Sequence, residues 1–282
     1  MRRRIVDNAA RGLLFLTTLA GCSLLALILF AVVRRGLPSM SIEFLTREAR
    51  DFGLEGGIFH QIAGTLILTA SAGIVSFPIA LGSALFQTEF LKSPGWKQTL
   101  RIATYTLNGV PTILFGLTGY MFFGAFLGMG VSWVTGALIL AVMILPTVQI
   151  SVLEAIESIP AHYRETGMAL GLTPWAQIRA IVLPQSFYGI VTGVLLGLAR
   201  AAGETAAIMF TATAFSGAGI PRSLSGPVST LQTHILVLAQ EAVNPKAVAN
   251  AWGAGLALTA LVFALMLSAL WARSRLRLES HR

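Results

Sequence analysis

Long apolar runs separated by short polar connectors dominate this chain. Six runs approach or exceed the roughly 20 residues that a helix needs to cross a bilayer. They are Leu13 to Val33, Ile62 to Phe86, Ile102 to Phe126, Val131 to Ile150, Gln185 to Phe215 and Val248 to Trp271. Hydrophobicity within them is continuous, not alternating. Lipid admits only helices and closed barrels, because every backbone polar group must be satisfied internally. Continuous runs choose helices. The expected fold is all-α, a polytopic membrane bundle of six transmembrane helices.

The connectors refine this picture. "MRRR" followed by a run of spanning length, with no A-x-A site behind it, predicts an uncleaved first helix. Arg34 to Phe59 is polar and holds Pro38 and "EGG", so it predicts a loop with room for a short surface helix. Pro78 and Pro146 fall inside runs and predict kinks, with a hinge as the alternative. "NGVP" (Asn108 to Pro111) opens the third run. Ser151 to Pro184 is the longest charged stretch without a span. Trp252 and Trp271 are expected at the membrane interface. The organisation predicted is 1–60 as a first helix with an external loop, 61–271 as a five-helix core, and 272–282 as a basic tail.

Charge sets orientation. Only 11% of residues are charged, against about 25% in an ordinary soluble domain. With six spans and both termini inside, thirteen Lys and Arg fall inside and six outside, leaving Arg200 within a span. That asymmetry predicts cytoplasmic termini, although Arg34 and Arg35 lie on the wrong side. The net charge of +8 sits at the ends of runs, with no basic patch interleaved by aromatics, so no nucleic-acid partner is expected. The lone Cys22 takes no role. No phosphate-cradling G-x-x-x-x-G-K-[ST] loop, no metal-ligand cluster and no nucleophile elbow occur. His60, His162, His234 and His281 are scattered and read as loop or interface residues. No enzyme activity, metal or cofactor is expected. Energy for any active transport would come from another subunit or an ion gradient.

The charged stretch contains "IPAHYRETGMALGLTPWAQIRAIVLP", Ile159 to Pro184. Pro160 can begin a helix and Gly171 can end it in the left-handed conformation. Thr173 can cap a second helix with Pro174 at its first position. Pro184 is then expected to open the fifth span. Pattern alone also fits an ordinary connector. Glu165, Gly171, Ile181, Leu183 and Pro184, however, have the spacing of the EAA loop of ABC importer permeases, which this stretch resembles. Thr166 and Gly167 replace that motif's two alanines. The resemblance implies the type I importer fold, with the loop at 151–184 forming a coupling helix that docks on a cytoplasmic ATPase. It assigns coupling to Arg164, Glu165, Gly167, Gly171 and Leu172.

Four further segments, "GGIFHQIAGTLILT", "NGVPTILFGL", "LARAAGETA" and "GPVSTLQTHI", are similar in order and spacing to PstA-type permeases of bacterial phosphate importers. Gln232 stands where that family's PVSTLP pattern has proline. The resemblance implies a PstC-type permease partner, two ATP-binding cassette ATPase subunits and an extracytoplasmic phosphate-binding protein, in the bacterial inner membrane. A permease for sulfate or molybdate is the nearest rival. An ion-coupled secondary carrier is a more distant one, and would be expected to show inverted repeats.

Arg200 and Glu204 interrupt the fifth run. On a continuous helix Gly189, Gly193, Gly197, Arg200, Glu204, Ala207 and Thr211 share an arc of about 80°. Arg200 then lies roughly 23 Å above Pro184, at membrane depth. Two readings remain open. An i, i+4 ion pair can serve only to pin helices, or Arg200 can hold an oxyanion in transit while Glu204 keeps the guanidinium in place. Asn108 either faces that path or bonds a neighbouring helix.

Overall fold

A computed structural model describes residues 2–213, 219–221 and 223–279. The first helix, α1 (Arg2–Gly36), leads through a short 3-10 turn to α2 (Ile42–Thr46). A two-stranded antiparallel hairpin follows, β1 (Ala49–Arg50) and β2 (Glu55–Gly56), paired Ala49 to Gly56. Next come α3 (Phe59–Leu85) with a π turn to Phe90, then α4 (Pro94–Asn108). After these are α5 (Thr112–Gly119) with a π turn to Phe126, and α6 (Trp133–Glu157). The charged stretch forms α7 (Ala161–Ala169) and α8 (Pro174–Gln177), and α9 (Leu183–Ala202) follows. Last are α10 (Ala206–Met209), α11 (Leu231–Gln240) and α12 (Pro245–Glu279).

Among the described residues, five helical stretches are long and apolar enough to span a membrane: Ala10–Ser39, Phe59–Phe90, Trp133–Glu157, Pro174–Ala202 and Pro245–Trp271. Among them α6 is the most buried and packs against both α3 and α9. Its core contribution runs from Ile139 through Ile144, Val148 and Val152 to Ile156. α1 is exposed along its apolar length and leans on α12, where Arg35 lies over the Trp252 ring at 5.1 Å.

Two expected spans, the third and the fifth, are not the continuous helices expected. The third, read as Ile102 to Phe126, is broken: α4 and the α5 segment meet at 92° across Gly109–Pro111. Pro111 cannot donate to the helical ladder and forces the residue before it out of the α region. The fifth, read as one helix from Gln185 to Phe215, ends at Ala202. Gly203 is a poor helix former. The Glu204 carboxylate then captures the amides of Ala206 and Ala207, starting a separate short helix. Phe215 itself lies outside the described residues. Nor does Pro184 open this span, because helix runs on from Pro174 through a π turn at Ile178–Val182. Ala180, whose carbonyl Pro184 cannot bond, lies inside that π turn. The charged stretch is correspondingly shorter, since α6 continues to Glu157.

The glycine stripe of α9 does what its spacing predicts. Cβ atoms on Gly189 and Gly193 would come 2.5 Å from Ala155 Cβ and 2.6 Å from Ser151 Cβ. Gly197 similarly faces Val148. Side chains there would push α9 off α6.

Of the histidines, His60 contacts Glu48 at 3.3 Å and His162 stacks near Tyr163, while His281 lies outside the described residues. His234, on α11, is buried beneath Gly53, which has φ +96 in the turn between the two strands. Burial pushes its imidazole down to about 4. The folded state therefore excludes a proton that the unfolded state accepts at about 6.5. Packing of this turn should be constant above pH 6.5 and weaken progressively as pH falls towards 4. Hydrogen-exchange protection across residues 49–56, relative to the intrinsic rate at each pH, should fall over that window and lose the pH step in His234→Gln. A flat profile in the native protein would refute the linkage.

Candidate functional site

Two helix ends and the middle of a third helix converge on one guanidinium. Asn108 is the last residue of α4, at the 92° bend. Thr147 follows Pro146 inside α6. Arg200 lies in the last turn of α9, where the helix dipole favours a cation. Arg200 Nη1 donates to Asn108 Oδ1 at 2.5 Å and to Thr147 Oγ1 at 2.6 Å. Thr147 Oγ1 donates to Asn108 Oδ1 at 2.9 Å, closing the triangle. Asn108 thus bonds neighbouring helices and simultaneously belongs to the Arg200 cluster.

The expected Arg200–Glu204 ion pair does not form. Glu204 Oε1 instead accepts from Ala206 N at 3.1 Å and Ala207 N at 3.3 Å. An i, i+4 spacing brings two side chains together only on a continuous helix, and the helix stops between these two residues. Ala207 and Thr211 leave the α9 stripe for the same reason. Ala207 instead supports the bend, because α5 crosses it closely. A Cβ on Gly116 would lie 2.8 Å from Ala207 Cα.

The consequence for Arg200 is chemical. A guanidinium has five N–H donors in a rigid plane. One nitrogen, Nη1, makes both side-chain bonds. Nε and Nη2 have no acceptor among the described residues, and no carboxylate lies within salt-bridge distance of Arg200 there. Asn108 and Thr147 hold the group from one side, leaving a fork suited to bidentate recognition of an oxyanion. Thr147 was not legible as a partner, because nothing in its local sequence points across to α9.

The second candidate region is the elbow of α7 and α8. Gly171 has φ +75 and ends the turn after α7, as its position predicts. Thr173 caps α8 by accepting from Ala176 N at 3.3 Å. Gly167 is buried with Ile181 and Leu172 around it, and Leu172 N donates to Gly167 O at 3.1 Å. Glu165 is exposed. Met168, Leu170 and Trp175 are also exposed, at 62%, 76% and 56%, apolar side chains on a charged loop. Arg164, by contrast, points back into the bundle. It donates to Glu89 Oε1 from Nε and Nη2 at 3.3 and 3.1 Å, and to the carbonyls of Ile159 and Ile156 at 3.1 and 3.0 Å. Glu89 was missed because it sits 75 residues away in an unrelated connector.

Comparison with known proteins fits this architecture. Residues 76–277 match the model of the "Binding-protein-dependent transport system inner membrane component". The chain belongs to this family. This inner-membrane component is 27% identical over 279 residues to the probable ABC transporter permease protein YqgI of Bacillus subtilis (strain 168), covering 94% of this chain and 95% of that protein. It is 31% identical over 273 residues to the phosphate transport system permease protein PstA of Mycobacterium leprae (strain TN), covering 93% and 86%. Its fold is shared with a chain from a bacterial alginate ABC transporter, at a TM-score of 0.62 and 15% identity over 93% of this chain and 94% of that one. The fold is that of type I ABC importer permeases, as the loop motif led us to expect.

Proposed function

We propose that this component is a PstA-type permease subunit, forming half of the path of an ATP-driven phosphate importer. The observation that carries the reading is the open Nε/Nη2 fork of Arg200, held from behind by Asn108 and Thr147 where α4 and α9 end against α6. A guanidinium held by neutral partners, with no carboxylate in salt-bridge distance among the described residues, attracts a tetrahedral oxyanion at this depth. Having a single fork, it can also release one. Similarity to PstA supports phosphate as that anion.

The rest of the machine follows from the same reading. A PstC-type permease completes the path. Two ATPase subunits receive the elbow, with Met168, Leu170 and Trp175 entering an apolar groove and Glu165 at its edge. Gly167, Gly171 and Leu172 shape the elbow, and Arg164 fixes it to the bundle. An extracytoplasmic phosphate-binding protein delivers substrate. The termini lie in the cytoplasm, residues 61–271 form the core, α1 is a peripheral addition to it, and 272–282 form the tail.

Proteoliposomes holding the complete complex should take up radiolabelled phosphate only with ATP and the binding protein, and should ignore sulfate and molybdate. Preference for either of those anions would defeat the phosphate assignment. Uptake driven by an ion gradient without ATP would defeat the importer reading.

Gly171→Val tests the elbow separately. A β-branched residue at φ +75 is strained, although no atom lies within 4 Å of an added Cβ. The spans should insert at normal abundance, while ATPase co-purification and uptake should fall at least about fivefold for a distortion worth about 1 kcal/mol or more. Normal uptake with normal co-purification would remove the elbow from coupling.

A further inference from the structure

Gln232 ties α11 to the end of α9. It is the second residue of α11, 4% exposed, and its Nε2 donates to the carbonyl oxygen of Ala202. That carbonyl belongs to the last helical residue of α9, whose final turn lacks intrahelical donors. The amide orientation is dictated by chemistry: Ala202 O only accepts, so the nitrogen must face it. Gln232 Oε1 is left facing Thr65 Oγ1 of α3 at 3.3 Å. Thr65 Oγ1 in turn accepts from Leu231 N at 3.0 Å and donates to Gln61 O at 2.8 Å. One hydroxyl proton serves both Gln61 O and Gln232 Oε1, so the Thr65 contact is shared while the Ala202 contact is not.

The position of this bond gives it significance. Ala202 is two residues beyond Arg200 and two before Glu204. The break between α9 and α10 begins at the next residue, Gly203, whose amide bonds back to Arg200 O at 3.2 Å. Without a side-chain cap from α11, the last carbonyl of α9 would be buried unpaired, because Ala202 is fully buried. Water cannot easily replace the donor there. The turn would then be free to continue as helix or unwind towards Arg200.

We propose that Gln232 is a positioning residue, a helix cap supplied by α11 that fixes the break on which Arg200 and Glu204 are mounted. Its role in transport rests on the phosphate-permease reading above; its role as a cap does not. By this link, a displacement of α11 reaches the last turn of α9 directly. Gln232 does not touch the guanidinium and leaves the Nη1 bonds to Asn108 and Thr147 intact.

Two readouts on the assembled complex in nanodiscs and proteoliposomes test this. Gln232→Met keeps length and volume but donates nothing. Gln232→Asn keeps the amide but falls one methylene short, and carries the same comparison if the methionine variant accumulates poorly. In either variant, amide exchange over residues 203–207 should rise about tenfold, with α6 unchanged, for the loss of one buried bond. Phosphate Vmax per inserted subunit should fall about tenfold while KM stays within about twofold, because the Arg200 fork is untouched. A merely structural residue would lower abundance and leave Vmax per subunit alone. Wild-type exchange in both variants would overturn the cap. Raised exchange with wild-type Vmax per subunit would overturn its role in transport. If the native complex transports no phosphate, the phosphate reading fails, and the exchange data still decide the cap.

Discussion

Arg200→Gln should reduce phosphate uptake by roughly two orders of magnitude while leaving the complex assembled. Glutamine can replace one of the two bonds that Nη1 makes to Asn108 and Thr147, so the helices stay together. It supplies neither charge nor a fork. Arg200→Lys should fall between, because an ammonium attracts the anion but cannot hold Asn108, Thr147 and two phosphate oxygens in one plane. Glu204→Gln should behave differently from both. Its remaining carbonyl oxygen can still accept from Ala206 and Ala207, so uptake and abundance should stay near normal. Uptake per subunit, measured beside abundance in membranes, separates these outcomes. Full transport by Arg200→Gln would leave the cluster as a packing device, and loss of transport in Glu204→Gln would give the carboxylate a charge role that its capping geometry does not require.

The contrast between these two residues shows where sequence reasoning reached and where it stopped. Run length and continuity were enough for the bundle, because lipid permits few alternatives. Gly171 and Thr173 were legible since a left-handed turn and an N-cap are local chemistry. The stripe Gly189, Gly193, Gly197 was legible because its period is fixed by the helix. What failed was any inference requiring the helix to continue. Gly203 and Pro111 each signal a break, yet inside an apolar run the same residues also occur within uninterrupted or kinked helices. Hydrophobicity therefore carried the third and fifth spans through both positions. The ion pair fell with that continuity. Arg200's real partners come from α4 and α6, and Gln232 reaches Ala202 from 30 residues away. Neither relation has a local signature.

Arg164 carries the second large effect. Its guanidinium makes four bonds: two to Glu89 Oε1 and one each to the carbonyls of Ile156 and Ile159, at the end of α6. The ion pair is partly shielded, with 23% of the arginine side chain and 11% of the glutamate side chain accessible. Gln177 Nε2 also bonds the Arg164 carbonyl at 3.4 Å, tying α8 to α7. One side chain thus fastens the elbow to the end of α3 and caps α6. Arg164→Ala would strand a mostly buried carboxylate and leave two carbonyls without this donor. The cost should be about 3 kcal/mol, nearer the lower end for broken buried pairs because water reaches the arginine. Subunit abundance should drop severely. Arg164→Met combined with Glu89→Gln removes the stranded charge and restores apolar packing, so abundance should recover substantially. Transport should not recover, since the elbow would no longer be held to α6 by the carbonyl bonds, and ATP hydrolysis should proceed without matching uptake. The decisive measurement is the ratio of phosphate imported to ATP hydrolysed in the double mutant. A wild-type ratio would mean that Arg164 serves folding alone and that the elbow couples without being anchored through it.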